Sequence, residues 1–435
     1  MGGEAVSGAA QGAHELEGRR IAVVGLGKSG RGCLAALAGL GRVRLSAWDA
    51  AEDALGGLDA VPLDAAGHSE DPADLASRVL AWKPDVVIPA PAVPETGALF
   101  AAVEGAGVPL WSEIELAWRL RAVDGGEAAP WLCVTGTNGK TTTTGMTASI
   151  LRAAGLGGLA VGNIGAPAVQ AVTQTGPHAP RAFAVELSSF QLRTTHTVSP
   201  LASVCLNVAD DHLEWHGSRE AYWAAKARVY DRVRSARVYP VGDRQVARMV
   251  EGAPAGARTV GVTLGPPSAG QIGLVGDVVA DRAYGAGRPD EAAELFTLQD
   301  LAHLAAGPGL PAHVVWDALA AAALARAAGA PPESVRQGLR DFAPGRHRIE
   351  TVARVGGVAY VDDSKATNAH AARACLASLE EGTAVWIVGG LAKGARFDGL
   401  VEDVAGKLRG VVVIGVDQEP WRSARAAALW KGQAP

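Results

Sequence analysis

The run Val134-Thr135-Gly136-Thr137-Asn138-Gly139-Lys140-Thr141-Thr142 decides how this chain is read. It continues the apolar stretch Trp131–Thr135, which reads as a buried strand, and it precedes a helix-compatible stretch that runs to Leu151. A strand, a glycine-bearing turn and a helix start, in that order, make a phosphate cradle. Gly136 and Gly139 let backbone N–H groups converge on phosphate oxygens, and the helix N-terminus favours negative charge there. Lys140 neutralises transferring charge, and Thr141 offers a hydroxyl to Mg²⁺. The commonest form of this loop places Gly six residues before the Lys; position 134 is Val, and Gly136 sits inside the loop instead. A glycine-rich turn that merely caps a helix is the bland alternative, but Gly-Lys-Thr between a strand and a helix is hard to explain by folding alone. We therefore expect Gly136 to Thr142 to hold the phosphates of ATP.

Outward from this loop, apolar strand-like runs alternate with Ala/Leu-rich helical runs, which predicts an α/β protein with mostly parallel sheets and crossover helices. A chain of 435 residues exceeds what one hydrophobic core usually serves. Three domains are expected: residues 1–126, with strands Ile21–Val24, Val43–Trp48 and Val86–Ile88; residues 127–343, around the phosphate loop; and residues 344–435, with strands Val358–Val361, Ala384–Val388 and Val411–Ile414. The first and third read as Rossmann-like, the second as a P-loop-type ATPase domain. Val123–Pro130 is the expected first linker, and Gly252–Pro289 reads as short strands and loops. After Val416 only Asp417–Pro435 follows, with one helix over Trp421–Trp430, so the third sheet is expected to be incomplete, its uncovered edge prone to association.

Composition narrows the function. Hydrophobic residues at 48% and charged residues at 20% belong to packed globular chains. The net charge of -5 leaves no basic footprint, so nucleic acid is not an expected partner and phosphate must be bound by local geometry. Cys33, Cys133, Cys205 and Cys375 show no paired spacing and read as small buried hydrophobes in a reducing compartment. The Gly/Ala-rich start carries Glu4, Glu15 and Glu17 rather than a secretory pattern, and no run is long enough to span a bilayer. A cytoplasmic monomer without a membrane partner is expected.

Phosphoryl transfer also needs oxygen ligands for Mg²⁺ and a group that orients the acceptor. A short strand over Phe183–Val185 delivers Glu186, followed by Ser188, Ser189 and Gln191; a second over Val204–Val208 leads to Asp210, Asp211, His212 and Glu214. Such an acidic cluster is often a solvated loop, but beside a nucleotide loop it reads as a metal site. Lys226 falls in a helix over Arg219–Tyr230, and taken by itself it reads as solvent-facing. In the first domain, Gly25-x-Gly27-x-x-Gly30 follows a strand and Asp49 ends the next one, which satisfies the dinucleotide fingerprint and alone would suggest a nicotinamide cofactor. A lone match of that kind is weak.

Together these segments resemble the Mur ligase family. The resemblance runs in order from about residue 20 to 416. It rests on Gly25-Leu-Gly-Lys-Ser-Gly30, Thr135-Gly-Thr-Asn-Gly-Lys-Thr141, Gly162-Asn-Ile-Gly165, Glu186-Leu-Ser-Ser-Phe-Gln191, Asp211-His212, Gly345-Arg-His-Arg348, Asp363-Ser-Lys-Ala-Thr-Asn368, Gly389-Gly390 and Lys393-Gly394. It implies an ATP-dependent ligase of peptidoglycan precursor synthesis, from the branch that joins D-glutamate to UDP-N-acetylmuramoyl-L-alanine through an acyl phosphate. It also implies roles. Lys140 and Thr141 contact phosphates and metal, and Glu186 and His212 help hold Mg²⁺. Lys226 matches a lysine that becomes carbamylated, which turns a cation into an oxygen ligand. Gly25, Lys28, Ser29, Asp49 and Asn163 receive the UDP-linked substrate, so the first-domain glycines are assigned to UDP. Arg348 and Asp363 lie near ATP, with His347 beside them, and Thr367 and Lys393 receive the D-glutamate carboxylates.

Three segments depart from the family pattern. His313-Val314-Val315-Trp316-Asp317 stands where the family has His-Asn-x-x-Asn near the adenine, and Ala90-Pro91-Ala92 where it has Ser-Pro-Gly. The third is the short end beyond Val416, for which weakened D-glutamate binding is expected. Two enzyme alternatives stay open: a ligase for a different amino acid, and folylpolyglutamate synthetase, disfavoured by the nucleotide-type first domain. A catalytically impaired homologue that binds nucleotide or UDP-precursor without efficient ligation is the alternative from another class.

Overall fold

The computed structural model describes residues 14–121, 123–124, 127–176, 178–209, 211–285, 291–305, 309–345, 350–377, 379–390 and 397–430. Asp210, His347, Arg348, Lys393 and Gly394, which carried expectations above, lie outside them. The chain forms two compact units, one of residues 1–296 with 318–339, the other of residues 297–317 with 340–435.

Among the described residues the first unit holds two large sheets and a two-stranded ribbon. In the smaller, Ala65–His68, Arg44–Asp49, Arg20–Val24 and Val86–Pro89 lie side by side in that order, all parallel. Their apolar runs leave Ile21, Ala22, Val23 and Val24 at 0–1% exposure, as a parallel sheet covered on both faces requires. The expected Gly-rich entry is present. Gly25 has φ 89°, and a Cβ on Gly30 would stand 2.0 Å from the Gly25 carbonyl oxygen, so helix Lys28–Ala38 packs close against its strand only because position 30 is Gly.

The larger sheet has nine strands, in the order Ala293–Thr297, Val278–Asp281, Gln271–Val275, Arg258–Thr263, Ala236–Pro240, Ala202–Cys205, Trp131–Thr135, Ala182–Glu186 and Gly158–Gly162. From Gly158–Gly162 to Gln271–Val275 the pairing is parallel, and it turns antiparallel at Val278–Asp281. The Gly/Pro-rich region thus supplies short strands, as expected. Trp131–Thr135 is paired on both sides and buried throughout. After it the chain crosses over to Gly158–Gly162 at the edge, returns through Ala182–Glu186, and later adds Ala202–Cys205 on the opposite side. That reversal makes the C-terminal end of Trp131–Thr135 a topological switch point, the place where open α/β sheets bind ligands. Val123–Asp124 and Glu127–Ala128 pair as a two-stranded ribbon in the expected linker.

The second unit contains an antiparallel pair, Glu350–Val355 with Val358–Asp362, and a parallel pair, Ala384–Gly389 with Leu408–Ile414. Its core gathers Leu376, Leu400, Val404 and Leu408, with Trp421 of helix Glu419–Trp430 stacked on Phe397 at 3.6 Å. Val385, Ile387, Val412 and Ile414, on the alternate positions of the parallel pair, are exposed. All four cysteines are free; Cys33, Cys133 and Cys205 are buried and Cys375 is half-buried.

Candidate active site

Because neighbouring strands run parallel, the ends of Trp131–Thr135, Ala182–Glu186 and Ala202–Cys205 deliver their next residues to one edge. The loop Gly136–Gly139 leads there into helix Lys140–Ala153, with Gly139 at the N-cap in the left-handed region (φ 83°). Gly136 has φ 153°, and a Cβ on it would meet Leu206 Cβ at 3.0 Å. Both glycines are therefore required by backbone geometry. Asn207, just past Ala202–Cys205, fixes the loop: its Oδ1 accepts N–H groups of Thr137 (3.1 Å) and Asn138 (2.9 Å), and its Nδ2 donates to the Asn138 carbonyl (3.2 Å). The Thr137 hydroxyl lies 2.9 Å from the Tyr222 hydroxyl.

Two ammonium groups meet at this loop. Lys140 Nζ donates to the carbonyls of Gly136 and Thr137, each at 2.9 Å, and Lys226 Nζ donates to the Gly136 carbonyl at 2.7 Å. Lys226 is 2% exposed, which overturns its solvent-facing reading. It rides on helix Arg219–Ala227 one turn after Tyr222, and both point inward. Burial, and then the like charge of Lys140, push its pKa down to about 7.

Glu186 ends its strand at 2% exposure. Its Oε2 accepts the Thr141 hydroxyl at 2.8 Å and its Oε1 accepts Asn163 Nδ2 at 3.0 Å. Asn163 is brought there by the strand ending in Gly162, where φ is 100° and a Cβ would stand 2.3 Å from the Glu186 carbonyl oxygen. Four residues singled out from sequence, Lys140, Thr141, Asn163 and Glu186, are thus gathered with Lys226 around one loop. His212 lies beyond Ala202–Cys205, left-handed at φ 53°, with Nε2 3.5 Å from Asp211 Oδ2 and its ring 4.8 Å from that of Phe190.

Among the described residues no three His, Cys, Asp or Glu side chains gather into a metal cluster. The donors at Thr141 and Glu186, a hydroxyl against a carboxylate, nevertheless suit Mg²⁺, which usually takes one or two carboxylates and completes its shell with waters and substrate phosphates.

In the smaller sheet, Asp49 Oδ2 accepts the Leu26 N–H at 2.6 Å and its Oδ1 accepts the Ala51 N–H at 3.0 Å, so the carboxylate braces the glycine turn. Lys28 Nζ donates to the Gly165 carbonyl, joining this turn to the segment that carries Asn163. Ser29 sits half-buried in the first turn of the same helix. In the second unit, Asp363 follows strand Val358–Asp362 and its charge raises the pKa of the Cys375 thiol beyond what burial alone does. Thr367 lies in the turn before helix Ala369–Leu376, whose N-terminus is capped by Asn368.

Sequence reasoning missed Asn207 and Tyr222. The expected strand Val204–Val208 ran through Asn207, whereas the strand stops at Cys205. An Asn interrupting an apolar run opposite a phosphate loop was the available signal. For Tyr222 the signal was its position four residues before Lys226.

Comparison with known proteins identifies relatives of this chain. The family model described as Mur ligase middle domain matches residues 134–273, and the one described as Mur ligase, glutamate ligase domain, matches residues 347–434. A UDP-N-acetylmuramoylalanine--D-glutamate ligase from Streptomyces coelicolor is 46% identical over 414 residues, covering 95% of this chain and 85% of the relative. A protein of the same name from Mycolicibacterium smegmatis is 42% identical over 404 residues, covering 92% of this chain and 76% of the relative. Among solved structures, a UDP-N-acetylmuramate-alanine ligase from Thermotoga maritima aligns with a TM-score of 0.52 at 19% identity over 96% of this chain and 89% of that one, a likeness of fold.

Proposed function

The chain belongs to the Mur ligase family, and from that premise we propose that it is the ATP-dependent ligase that adds D-glutamate to UDP-N-acetylmuramoyl-L-alanine in peptidoglycan precursor synthesis. The observation that carries the reading is the closed set around Gly136: two lysines on one carbonyl, with Glu186 held by Thr141 and Asn163 beside them. A free carboxylate is a poor electrophile, so its activation by the γ-phosphoryl group of ATP precedes attack by the amine of D-glutamate, and phosphate leaves as the amide bond forms. ADP is the other product.

Within this scheme the loop Gly136–Thr142 holds the triphosphate and Lys140 turns from its loop carbonyls to the transferring group, offsetting repulsion between two anions. Thr141 and Glu186, with His212, would hold Mg²⁺, which would supply charge neutralisation for the transfer. Lys226, about half neutral near pH 7 at its depressed pKa, is the amine that would react with CO₂, and its carbamate would add an oxygen donor. Gly25, Lys28, Ser29, Asp49 and Asn163 receive the UDP-linked substrate. Asp363, with Arg348, serves ATP, and Thr367, with Lys393, serves the D-glutamate carboxylates. The described helices include none long and apolar enough to cross a membrane, and we read the enzyme as a cytoplasmic monomer.

The decisive assay is ADP release by the purified chain with Mg²⁺, bicarbonate and UDP-N-acetylmuramoyl-L-alanine, with and without D-glutamate. Turnover that requires D-glutamate is expected. Tight nucleotide binding with no amino-acid-dependent turnover would instead identify a binding-only homologue, and turnover with another amino acid would reassign the substrate.

A further inference from the structure

One segment of the first unit, residues 90–96, links the Gly25 turn to the turn that follows His212. At one end, Ala90 and Val93 pack on the Gly25 turn, so closely that a Cβ on Gly25 would stand 2.7 Å from Ala90 Cβ. At the other end, Thr96 Oγ1 donates to the Glu214 carbonyl at 3.3 Å, inside the turn that follows His212. Between them, Glu95 reaches the fully buried imidazole of His216, with Oε2 3.1 Å from Nδ1, while its Oε1 pairs with Arg193.

His216 is pinned on every side. Its Nε2 lies 2.9 Å from Ser189 Oγ, at the start of the helix that follows Glu186. A carboxylate at Nδ1 makes that nitrogen the N–H donor, which leaves Nε2 to accept the Ser189 hydroxyl. Its ring packs on Trp215 at 4.5 Å and on Tyr222 at 5.5 Å, the tyrosine whose hydroxyl meets Thr137 of the phosphate loop. Its backbone N–H donates to the His212 carbonyl at 3.2 Å. His212 itself is held left-handed, a conformation that a non-glycine residue keeps only when its surroundings over-determine it. The His216 anchor is such a surrounding.

Resting on the function proposed above, we propose that His216 is a positioning residue, and that the Glu95–His216–Ser189 chain couples occupancy of the Gly25 turn by the UDP-linked substrate to nucleotide binding at the Gly136 loop. The arrangement is reciprocal. A ligand that settles the Ala90–Thr96 segment also settles the His212 turn and, through Tyr222, the phosphate loop; a triphosphate in the loop settles the segment in return.

Calorimetric titration of the full chain with the Mg²⁺ complex of β,γ-imido-ATP, with and without saturating UDP-N-acetylmuramoyl-L-alanine, measures this coupling. In the wild type the precursor is expected to tighten the nucleotide about fivefold or more, the lower end of usual coupling factors. Glu95→Gln and His216→Phe are expected to bring that factor to within about twofold of unity while each ligand alone still binds, a split that general loss of stability would not produce. Glu95→Gln keeps the test valid should His216→Phe not fold. Binding of both ligands to the wild type without coupling, or coupling unchanged in the variants, overturns the inference. Failure of the wild type to bind either ligand overturns the proposed function and this inference with it.

Discussion

Lys226 Nζ donates to the Gly136 carbonyl at 2.7 Å, so the phosphate loop is held from behind by a lysine that is itself pushed down to about pKa 7. Between about pH 7 and 10.5 the folded protein therefore leaves this amine mostly neutral where an unfolded chain would protonate it. Carbamate formation needs the neutral amine, whose share is about a tenth at pH 6 and about nine tenths at pH 8. We expect kcat at limiting bicarbonate to rise through this window, and Lys226→Ala to abolish the bicarbonate response; ADP release across pH 6–8 measures both. A pH-independent bicarbonate response would contradict the assignment.

The same shift has a stability sign. Between about 7 and the ordinary lysine value of 10.5 the unfolded state binds the extra proton, so Lys226 makes stability climb as pH rises through that range. Lys226→Met removes this slope and is expected to raise the thermal midpoint near pH 7, read by circular dichroism, because a buried ammonium with a like-charged neighbour gives way to an apolar side chain.

Lys140 is the cation nearest the transferring group in the proposed chemistry. Lys140→Ala is expected to lower kcat by about 10²–10³-fold, the usual loss for one preorganised charge in a water-poor site, with binding of the UDP-linked substrate unchanged in calorimetry.

Glu113 is buried at 3% exposure, with Oε1 accepting the Val169 N–H at 2.7 Å. Burial raises its pKa to about 7 against the backbone hydrogen bonds that lower it. Here the folded state binds the proton more tightly than the unfolded chain. The contribution is complete below about 4.5 and lost as pH rises through about 7, a swing on the order of 3 kcal/mol. Glu113→Gln should flatten the thermal midpoint between pH 5 and pH 8; an unchanged slope would show that Glu113 is not its source.

Gly162 stands where a Cβ would collide with the Glu186 carbonyl oxygen at 2.3 Å, with φ at 100°. Gly162→Ala should cost roughly 1–3 kcal/mol from backbone strain alone and shift Asn163 and Glu186 together, so Mg²⁺ activation of turnover is expected to weaken more than the stability loss predicts.

The phosphate loop, its strand and Glu186 were legible because each depends on local signals: an apolar run, glycines, and a polar residue where the run stops. The three segments of α/β grammar were also visible, and strand boundaries fell within a few residues. What was not legible depends on facing. Lys226 reads as surface until its helix is turned so that Tyr222 and Ala225 point inward with it. Strand Glu350–Val355 escaped notice because its burial pattern is mostly exposed, without the apolar alternation that marks a half-buried strand. His216 and Glu95 meet across 121 positions, a distance over which sequence spacing carries no information.

Strand Trp131–Thr135, hydrogen-bonded on both flanks and covered on both faces, has a dynamic consequence. Its amides can trade protons with solvent only when the strand parts from its neighbours on either side, so they should be among the slowest to deuterate. The Gly136–Gly139 turn hangs directly from this slowly exchanging strand, so thermal agitation that frays the periphery is expected to reach it late.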